Sequence, residues 1–116
     1  MFDLVNRYKP EIFWSDGNWI GVDKYWNSTG FVAWLYNESP VKDTIVVNDR
    51  WGAEDECQHG DIHTCTDRYN PGVLQDHKWE NCMSLDEQSF GYRKNMKSTE
   101  VIAIEDLIGT LVETVR

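Results

Sequence analysis

The sequence lacks the features of a membrane-spanning or nucleic-acid-binding chain. None of its apolar runs approaches the roughly 18 residues that a membrane-spanning helix needs. Basic residues are few, 11 against 20 acidic ones, and they are scattered singly, so no stripe of positive charge is available to neutralise phosphates. The net charge of −9 makes nucleic acids and anionic membranes poor partners and favours a neutral or cationic ligand.

Cysteine is also scarce. The three cysteines, at positions 57, 65 and 82, permit one disulfide and leave one free thiol. Cys57 and Cys65 flank a short polar loop that a disulfide between them would close. A zinc site formed by Cys57, His59, His63 and Cys65 is the alternative, but these spacings only loosely approximate those of zinc ligands. We therefore expect no metal and no cofactor.

The first residues lack the charged and apolar regions of a signal peptide, which by itself predicts a cytosolic protein. The interior argues otherwise, because Asn27-Ser28-Thr29 is an acceptor sequence for N-glycosylation. A second such sequence begins at Asn37 but is weaker because Pro40 follows it. Acceptor sequences also arise by chance, so Asn27 predicts a secretory location only together with other signals.

What the sequence does have is enough apolar surface for one packed unit. Of its 116 residues, 41% are hydrophobic and 13% aromatic, far from the composition of a disordered chain. This length suggests one domain at most.

Helix-like and strand-like segments alternate, which predicts an α/β fold with a parallel sheet. The predicted segments are a helix at 2–8, a strand at 12–14, a helical face at 31–35, a strand at 44–48, a third strand at 78–84 and a helix at 104–115. Because parallel sheets need both faces covered and a closed barrel takes about 250 residues, this incomplete series predicts part of a larger domain, with exposed strand edges and an unclosed core.

The ends of the first two predicted strands are the places for chemistry, because functional residues of parallel α/β folds lie at the carboxyl ends of strands. Asp16 and Gly17 follow the first strand, and Asp49 and Arg50 follow the second. Asp16 and Gly17 also suit a plain turn, and Asp49 with Arg50 also suits an ion pair on a solvated loop. The long polar stretch at 52–71 that follows is of the kind that is usually functional.

Taken together, six segments closely resemble the α-L-fucosidases of glycoside hydrolase family 29, especially the animal lysosomal type. They are residues 2–17 (ending Trp-Ser-Asp-Gly), 25–29, 37–43, 46–52 (Val-Val-Asn-Asp-Arg-Trp-Gly), 76–80 (Asp-His-Lys-Trp-Glu) and 89–93 (Ser-Phe-Gly-Tyr-Arg). They occur in order, with similar spacing, over nearly the whole chain.

The resemblance implies that residues 1–116 are a fragment of a catalytic (β/α)8 TIM-like barrel, roughly its fourth to sixth strands. The complete protein would then be a lysosomal or secreted retaining glycosidase that removes terminal α-L-fucose from glycoproteins and glycolipids. The family barrel extends beyond both ends of this sequence, so we expect the 116-residue chain alone to be inactive. The resemblance further implies a homo-oligomer with fucosylated glycans as partners. The alternative is a non-catalytic carbohydrate-binding or interaction fragment, which the six tryptophans favour.

Retention requires two carboxyl groups about 5–5.5 Å apart, a nucleophile and an acid/base. By match to the Trp-x-Asp-Gly motif, Asp16 is the nucleophile. Asp67 is the preferred acid/base and Glu80 the alternative. Many relatives carry Glu immediately before the Asp67 position, where this chain has Thr66, and threonine cannot serve as the acid.

The resemblance also assigns residues that bind the sugar. Trp14 and Phe90 match aromatic positions that would face the C6 methyl group of fucose, although each could equally be core. Arg50 matches an arginine that contacts ring hydroxyls or orients the nucleophile, and His59 resembles a histidine of the same loop. Cys57 and Cys65 match a cysteine pair of the animal enzymes, which favours the disulfide.

Overall fold

Two short parallel strands, β1 (Ile12–Phe13) and β2 (Val46–Val47), lie at the centre of the fold in a computed structural model that describes residues 1–115. Arg116 lies outside the described residues. The strands pair in register, Ile12 with Val46 and Phe13 with Val47. The helices are α1 (Phe2–Tyr8), α2 (Asp23–Trp26), α3 (Ser28–Asn37) and α4 (Ile104–Val115), with short 3₁₀ turns at Asn18–Ile20 and Ser98–Glu100.

Local sequence explains where the first helix begins and ends. Asp3 lies in its first turn and Arg7 in its last, where each charge suits the helix dipole, and the two side chains form an ion pair at 3.6 Å. Lys9 then adopts a left-handed conformation, with φ 47°, and its N–H bonds to Val5 O. Pro10 follows and prevents continuation of the helix.

The core lies between α1, α3 and the sheet. Phe31 is its centre, with its ring centroid 5.3 Å from that of Phe13 and 5.7 Å from that of Trp51. Such aromatic pairs stabilise a core beyond the area that they bury. The buried hydrophobic cluster comprises Val5, Phe31, Leu35, Val41, Ile45, Val47 and Trp51.

The predicted helices at both ends and in the middle of the chain are confirmed, as are the two strands and their parallel pairing. The predicted third strand at 78–84 is wrong. This segment forms only an isolated bridge, in which His63 N–H donates to Lys78 O at 2.9 Å and Glu80 N–H donates to His63 O at 3.0 Å. The pairing stops because Cys65, two residues beyond His63, has a φ of 52° that is incompatible with an extended strand.

The apolar stripe of α4 is exposed. Its side chains contact no buried cluster, and each of five is more than half accessible: Ile104, Ile108, Leu111, Val112 and Val115. Ile12 on β1 is likewise 63% exposed. These surfaces agree with the unclosed core that the incomplete series of elements predicts. Among residues 1–115, no helix has the length and apolar character to cross a membrane.

Candidate active site

The carboxyl ends of β1 and β2 are fastened to each other by side chains. Ser15 donates to Asn48 Oδ1 from both its backbone N–H, at 3.0 Å, and its hydroxyl, at 2.9 Å. Asn48 Nδ2 donates in return to Ser15 O at 2.7 Å. These bonds extend the pairing beyond the two strands, and they fix the next residues, Asp16 and Arg50, relative to each other.

Arg50 joins two candidate catalytic carboxylates. Its Nη1 donates to Asp16 Oδ1 at 3.1 Å and its Nη2 to Asp67 Oδ1 at 2.6 Å. The Arg50 side chain is 4% exposed, whereas those of Asp16 and Asp67 are 51% and 52% exposed. The cation therefore lies beneath the surface, and the two carboxylates stand above it, open to a ligand.

The pKa of Arg50 is raised above its ordinary value. Burial acts to lower this pKa, but the hydrogen bonds to Asp67 and Asp16 outweigh the burial. A third bond, from Nε to Cys65 O at 3.2 Å, uses the remaining edge of the guanidinium group. The site thus contains a permanently charged and rigidly held cation, and Arg50 is not part of an ion pair on a solvated loop.

Trp14 and Glu80 form the second part of the site. The Trp14 ring lies against Arg50, with the centroid 5.3 Å from Cζ. Its indole N–H donates to Glu80 Oε1 at 2.5 Å, and the hydroxyl of Thr64 donates to the same oxygen at 2.5 Å. Glu80 and Trp14 are therefore brought to the same cluster as Asp16, Arg50 and Asp67.

Asp49 organises the loop that carries these partners. It is fully buried, and its two carboxylate oxygens accept backbone N–H bonds from Cys57 at 2.7 Å, Thr64 at 3.0 Å and Cys65 at 3.0 Å. Sequence reasoning considered Asp49 only as a partner of Arg50 and did not consider Thr64 as a functional residue at all. The only signal was the position of Asp49 immediately after a buried strand.

We expect Asp49→Asn to destabilise the full-length protein that contains this segment. The amide offers one acceptor oxygen where the carboxylate has two, and its NH₂ group faces backbone N–H donors. Each bond to a charged group that is lost costs about 1.5–3 kcal/mol. Urea denaturation measures the loss, and Asp43→Asn, at an exposed acidic residue, is the matched control that should stay within about 0.5 kcal/mol of wild type. Equal stability of the two variants would contradict the role assigned to Asp49.

The polar loop is closed by a disulfide between Cys57 and Cys65. Both cysteines have positive φ, 57° and 52°, so the backbone turns sharply at each end of the loop. Gly60 lies between them with φ 103°, and a side chain there would meet Asn48 O at 2.6 Å. The loop is thereby held against the end of β2.

The geometry of this loop does not fit a zinc site. Both cysteine sulfurs are committed to the disulfide, and His63 stacks on His77 with ring centroids 3.8 Å apart. Within residues 1–115, the potential ligand group at this place consists of Asp49, Cys57 and Cys65 and includes neither His59 nor His63. The carboxylate of Asp49 already accepts three N–H bonds, so with both sulfurs in the disulfide this group does not supply the set of free ligand atoms that zinc requires.

The stacked histidine pair predicts a loss of stability in acid. Burial, and then the neighbouring His77, lower the pKa of His63, while Asp49 acts to raise it. Since the folded state then binds a proton less readily than the unfolded state, stability is retained above the ordinary histidine pKa of about 6.5 and declines as the pH falls below it. We expect His63→Gln in the full-length protein to shrink the drop in Tm between about pH 7 and pH 5, and His77→Gln to shrink it less. An unchanged drop in both variants would contradict this coupling.

Two predicted sugar-binding residues lie apart from the cluster around Arg50. His59 lines another cavity, of about 660 Å³, together with Tyr36 and Asp61. Phe90 is half exposed and lies against Arg68, with Cζ 5.3 Å from its ring centroid. The structure therefore brings together Trp14, Asp16, Arg50, Asp67 and Glu80, but it does not add His59 or Phe90 to them.

Two further residues from the sequence analysis, Asn27 and Cys82, differ in exposure. Asn27 is exposed at the junction of α2 and α3, with φ 53°. Cys82 is a free and partly buried thiol. Burial raises the pKa of this thiol, whereas the positive charge of Arg50 acts to lower it.

A cavity of about 280 Å³ opens beside Asp16. Arg50, Trp26 and Trp51 also line it. Aromatic side chains with a few charged groups suit a sugar, but this cavity reaches the cluster only at Asp16 and Arg50, because Trp14, Asp67 and Glu80 do not line it.

Comparison with known proteins gives consistent matches over the whole chain. A family model described as Alpha-L-fucosidase matches residues 1–116. The chain is 58% identical to the Plasma alpha-L-fucosidase of Homo sapiens, 56% to the Alpha-L-fucosidase of Branchiostoma floridae and 55% to the Tissue alpha-L-fucosidase of Rattus norvegicus. Each alignment covers 99% of this chain but only 25–26% of the relative, so the chain spans about a quarter of the length of these proteins.

Proposed function

Because the chain belongs to the α-L-fucosidase family, we propose that it is a segment of the catalytic domain of a retaining α-L-fucosidase. The complete enzyme removes terminal α-L-fucose from glycoproteins and glycolipids. One observation carries the site assignment: Arg50, at the carboxyl end of β2, bonds at once to Asp16 after β1 and to Asp67 in the following loop. Because both carboxylates bond to one guanidinium group, they lie on the same side of the candidate site, which supports their acting on the same glycosidic bond.

In this proposal Asp16 is the nucleophile. It attacks the anomeric carbon to form a fucosyl ester as the glycosidic bond breaks, and the acid/base donates a proton to the departing oxygen. In the second step the acid/base takes a proton from a water molecule. The water oxygen attacks the anomeric carbon and displaces Asp16, which restores the original anomeric configuration. Arg50 orients Asp16 by its 3.1 Å bond and remains charged throughout.

Asp67 is the preferred acid/base, and Glu80 is the alternative. Asp67 is half exposed, and its only bond to a described side chain is the bond to Arg50. It can carry a proton on Oδ2 while Oδ1 still accepts from Arg50, although the attraction between opposite charges is then lost. Glu80 Oε1, in contrast, is already bound by two donors, Trp14 and Thr64. This commitment favours a supporting role for Glu80.

We propose further that the segment is part of a (β/α)8 barrel. The parallel pairing of β1 and β2, the intervening helix α3 and the exposed apolar stripe of α4 support this assignment. Barrel neighbours would cover these surfaces and complete the sugar pocket, so the 116-residue chain alone is inactive. The relatives named plasma and tissue enzymes support a secreted or lysosomal location, and the exposed Asn27 is accessible for glycosylation there.

Hydrolysis of an aryl α-L-fucoside by the full-length protein tests this function. NMR of the first-formed sugar should show the α-anomer, because double displacement retains configuration. The aryl β-L-fucoside is the control and should not react. Release of the β-anomer would refute the retaining mechanism, and binding of fucose without turnover would favour the non-catalytic carbohydrate-binding alternative.

A further inference from the structure

We propose that Thr64 is a positioning residue whose hydroxyl fixes Glu80 and, through Glu80, the indole ring of Trp14. This inference rests on the proposed function for its effect on catalysis, but its structural content does not. Thr64 is fully buried and so does not contact the sugar itself. Its effect must pass through the two side chains that it holds.

Thr64 is fixed at both of its polar ends. Its backbone N–H donates to the buried carboxylate of Asp49 at 3.0 Å, and its hydroxyl donates to Glu80 Oε1 at 2.5 Å. The peptide of Thr64 is thereby tied to the end of β2, while its side chain reaches the segment at 78–80. Thr64 thus fixes the position of the Glu80 carboxylate relative to the end of β2.

The donors on Glu80 determine which oxygen remains available. An indole N–H can only donate, so Glu80 Oε1 must accept from Trp14. The Thr64 hydroxyl donates to the same oxygen. Any proton that Glu80 carries must therefore be on Oε2, and the plane of the carboxylate is defined by two bonds rather than one.

The same bonds also hold the wall of the candidate site. The indole N–H is the only polar group of the Trp14 side chain, and its bond to Glu80 sets the rotation of a ring that lies against Arg50. Without the Thr64 bond, Glu80 keeps a single partner and the ring is free to turn with it. The Arg50 guanidinium, which holds Asp16 and Asp67, would then lose its contact with the Trp14 ring.

Two substitutions separate the hydroxyl from the packing of the side chain. Thr64→Val keeps the shape and removes the hydroxyl, whereas Thr64→Ser keeps the hydroxyl and removes a methyl group. In the full-length protein we expect Thr64→Val to lower kcat/KM for an aryl α-L-fucoside by about 10- to 10²-fold, the scale of a small misplacement of reacting groups. Thr64→Ser should stay within about threefold of wild type, and in a Glu80→Ala background, which removes the acceptor of the Thr64 hydroxyl, the effect of Thr64→Val should shrink.

A readout that does not depend on turnover is the indole ¹H–¹⁵N signal of Trp14, identified by its loss in Trp14→Phe. We expect this signal to shift in Thr64→Val and to keep its wild-type position in Thr64→Ser. An unchanged signal in Thr64→Val would overturn the inference whether or not the protein is a fucosidase. Absence of wild-type turnover together with a shifted signal would instead refute the proposed function and leave the positioning role in place. Equal loss of activity in Thr64→Val and Thr64→Ser would also overturn the inference, because it would show that packing and not the hydroxyl matters.

Discussion

Asp16→Asn in the full-length protein is expected to lower kcat for an aryl α-L-fucoside by roughly 10⁴-fold or more, the scale seen when a member of a catalytic unit is removed. The amide that replaces the carboxylate is not a nucleophile and cannot form the fucosyl ester. Its oxygen can still accept the bond from Arg50, so the fold at the ends of β1 and β2 should persist. The measurement is steady-state hydrolysis, with Tm as the test of folding.

Asp43→Asn is a suitable control, because Asp43 is exposed and lies before β2, away from the cluster around Arg50. It should hydrolyse the substrate at the wild-type rate. Added azide supplies a second test, since a small anion can occupy the space of the missing nucleophile. It should give β-fucosyl azide, the inverted product, with Asp16→Ala, whose short side chain leaves that space open. Full activity of Asp16→Asn or Asp16→Ala would remove Asp16 from the mechanism.

Parts of the fold were predictable because they depend on local sequence. The helix at 2–8 follows from apolar spacing and a terminating proline, and β2 follows from a run of β-branched residues. The segment at 78–84 has similar apolar content, yet it forms only one bridge. What stops its pairing is the left-handed turn at Cys65, a residue of the opposite segment. That turn is not encoded in the segment itself.

The candidate site likewise has a part that was predictable from the sequence and a part that depends on contacts between distant residues. Asp16 and Arg50 were predictable because parallel strands align their carboxyl ends, and the residues that follow them must meet. The bond between Trp14 and Glu80 joins residues 66 positions apart, and the bond between Asp49 and Thr64 joins residues 15 apart across the disulfide loop. Such contacts depend on how the loop closes. The sequence therefore indicated the carboxylates that meet at Arg50, but not Asp49 and Thr64, the buried residues that organise the loop.

Asp67→Asn should produce the second large effect, and it should depend on the leaving group. Loss of a general acid costs about 10²–10⁴-fold where the departing oxygen needs a proton. We therefore expect that range of loss for natural fucosides and alkyl fucosides, and a much smaller loss of the first step for a dinitrophenyl fucoside, whose oxygen leaves as a stable anion. Azide should accelerate turnover of the dinitrophenyl substrate and give α-fucosyl azide, the retained product. Measured rates with the three substrates and analysis of the azide product test this expectation.

Glu80→Gln is the matched comparison, because its amide oxygen can still accept from Trp14 and Thr64. It should lose activity about equally on all substrates and gain nothing from azide, as expected for a group that positions others. The opposite result, leaving-group dependence and azide rescue with Glu80→Gln but not with Asp67→Asn, would identify Glu80 as the acid/base. Thr64 and Trp14 would then anchor the acid itself, with the proton on Oε2, and Asp67 would serve with Asp16 to hold Arg50. The contacts around Arg50 are the same in both cases, so the leaving-group dependence, and not the geometry, distinguishes the two assignments.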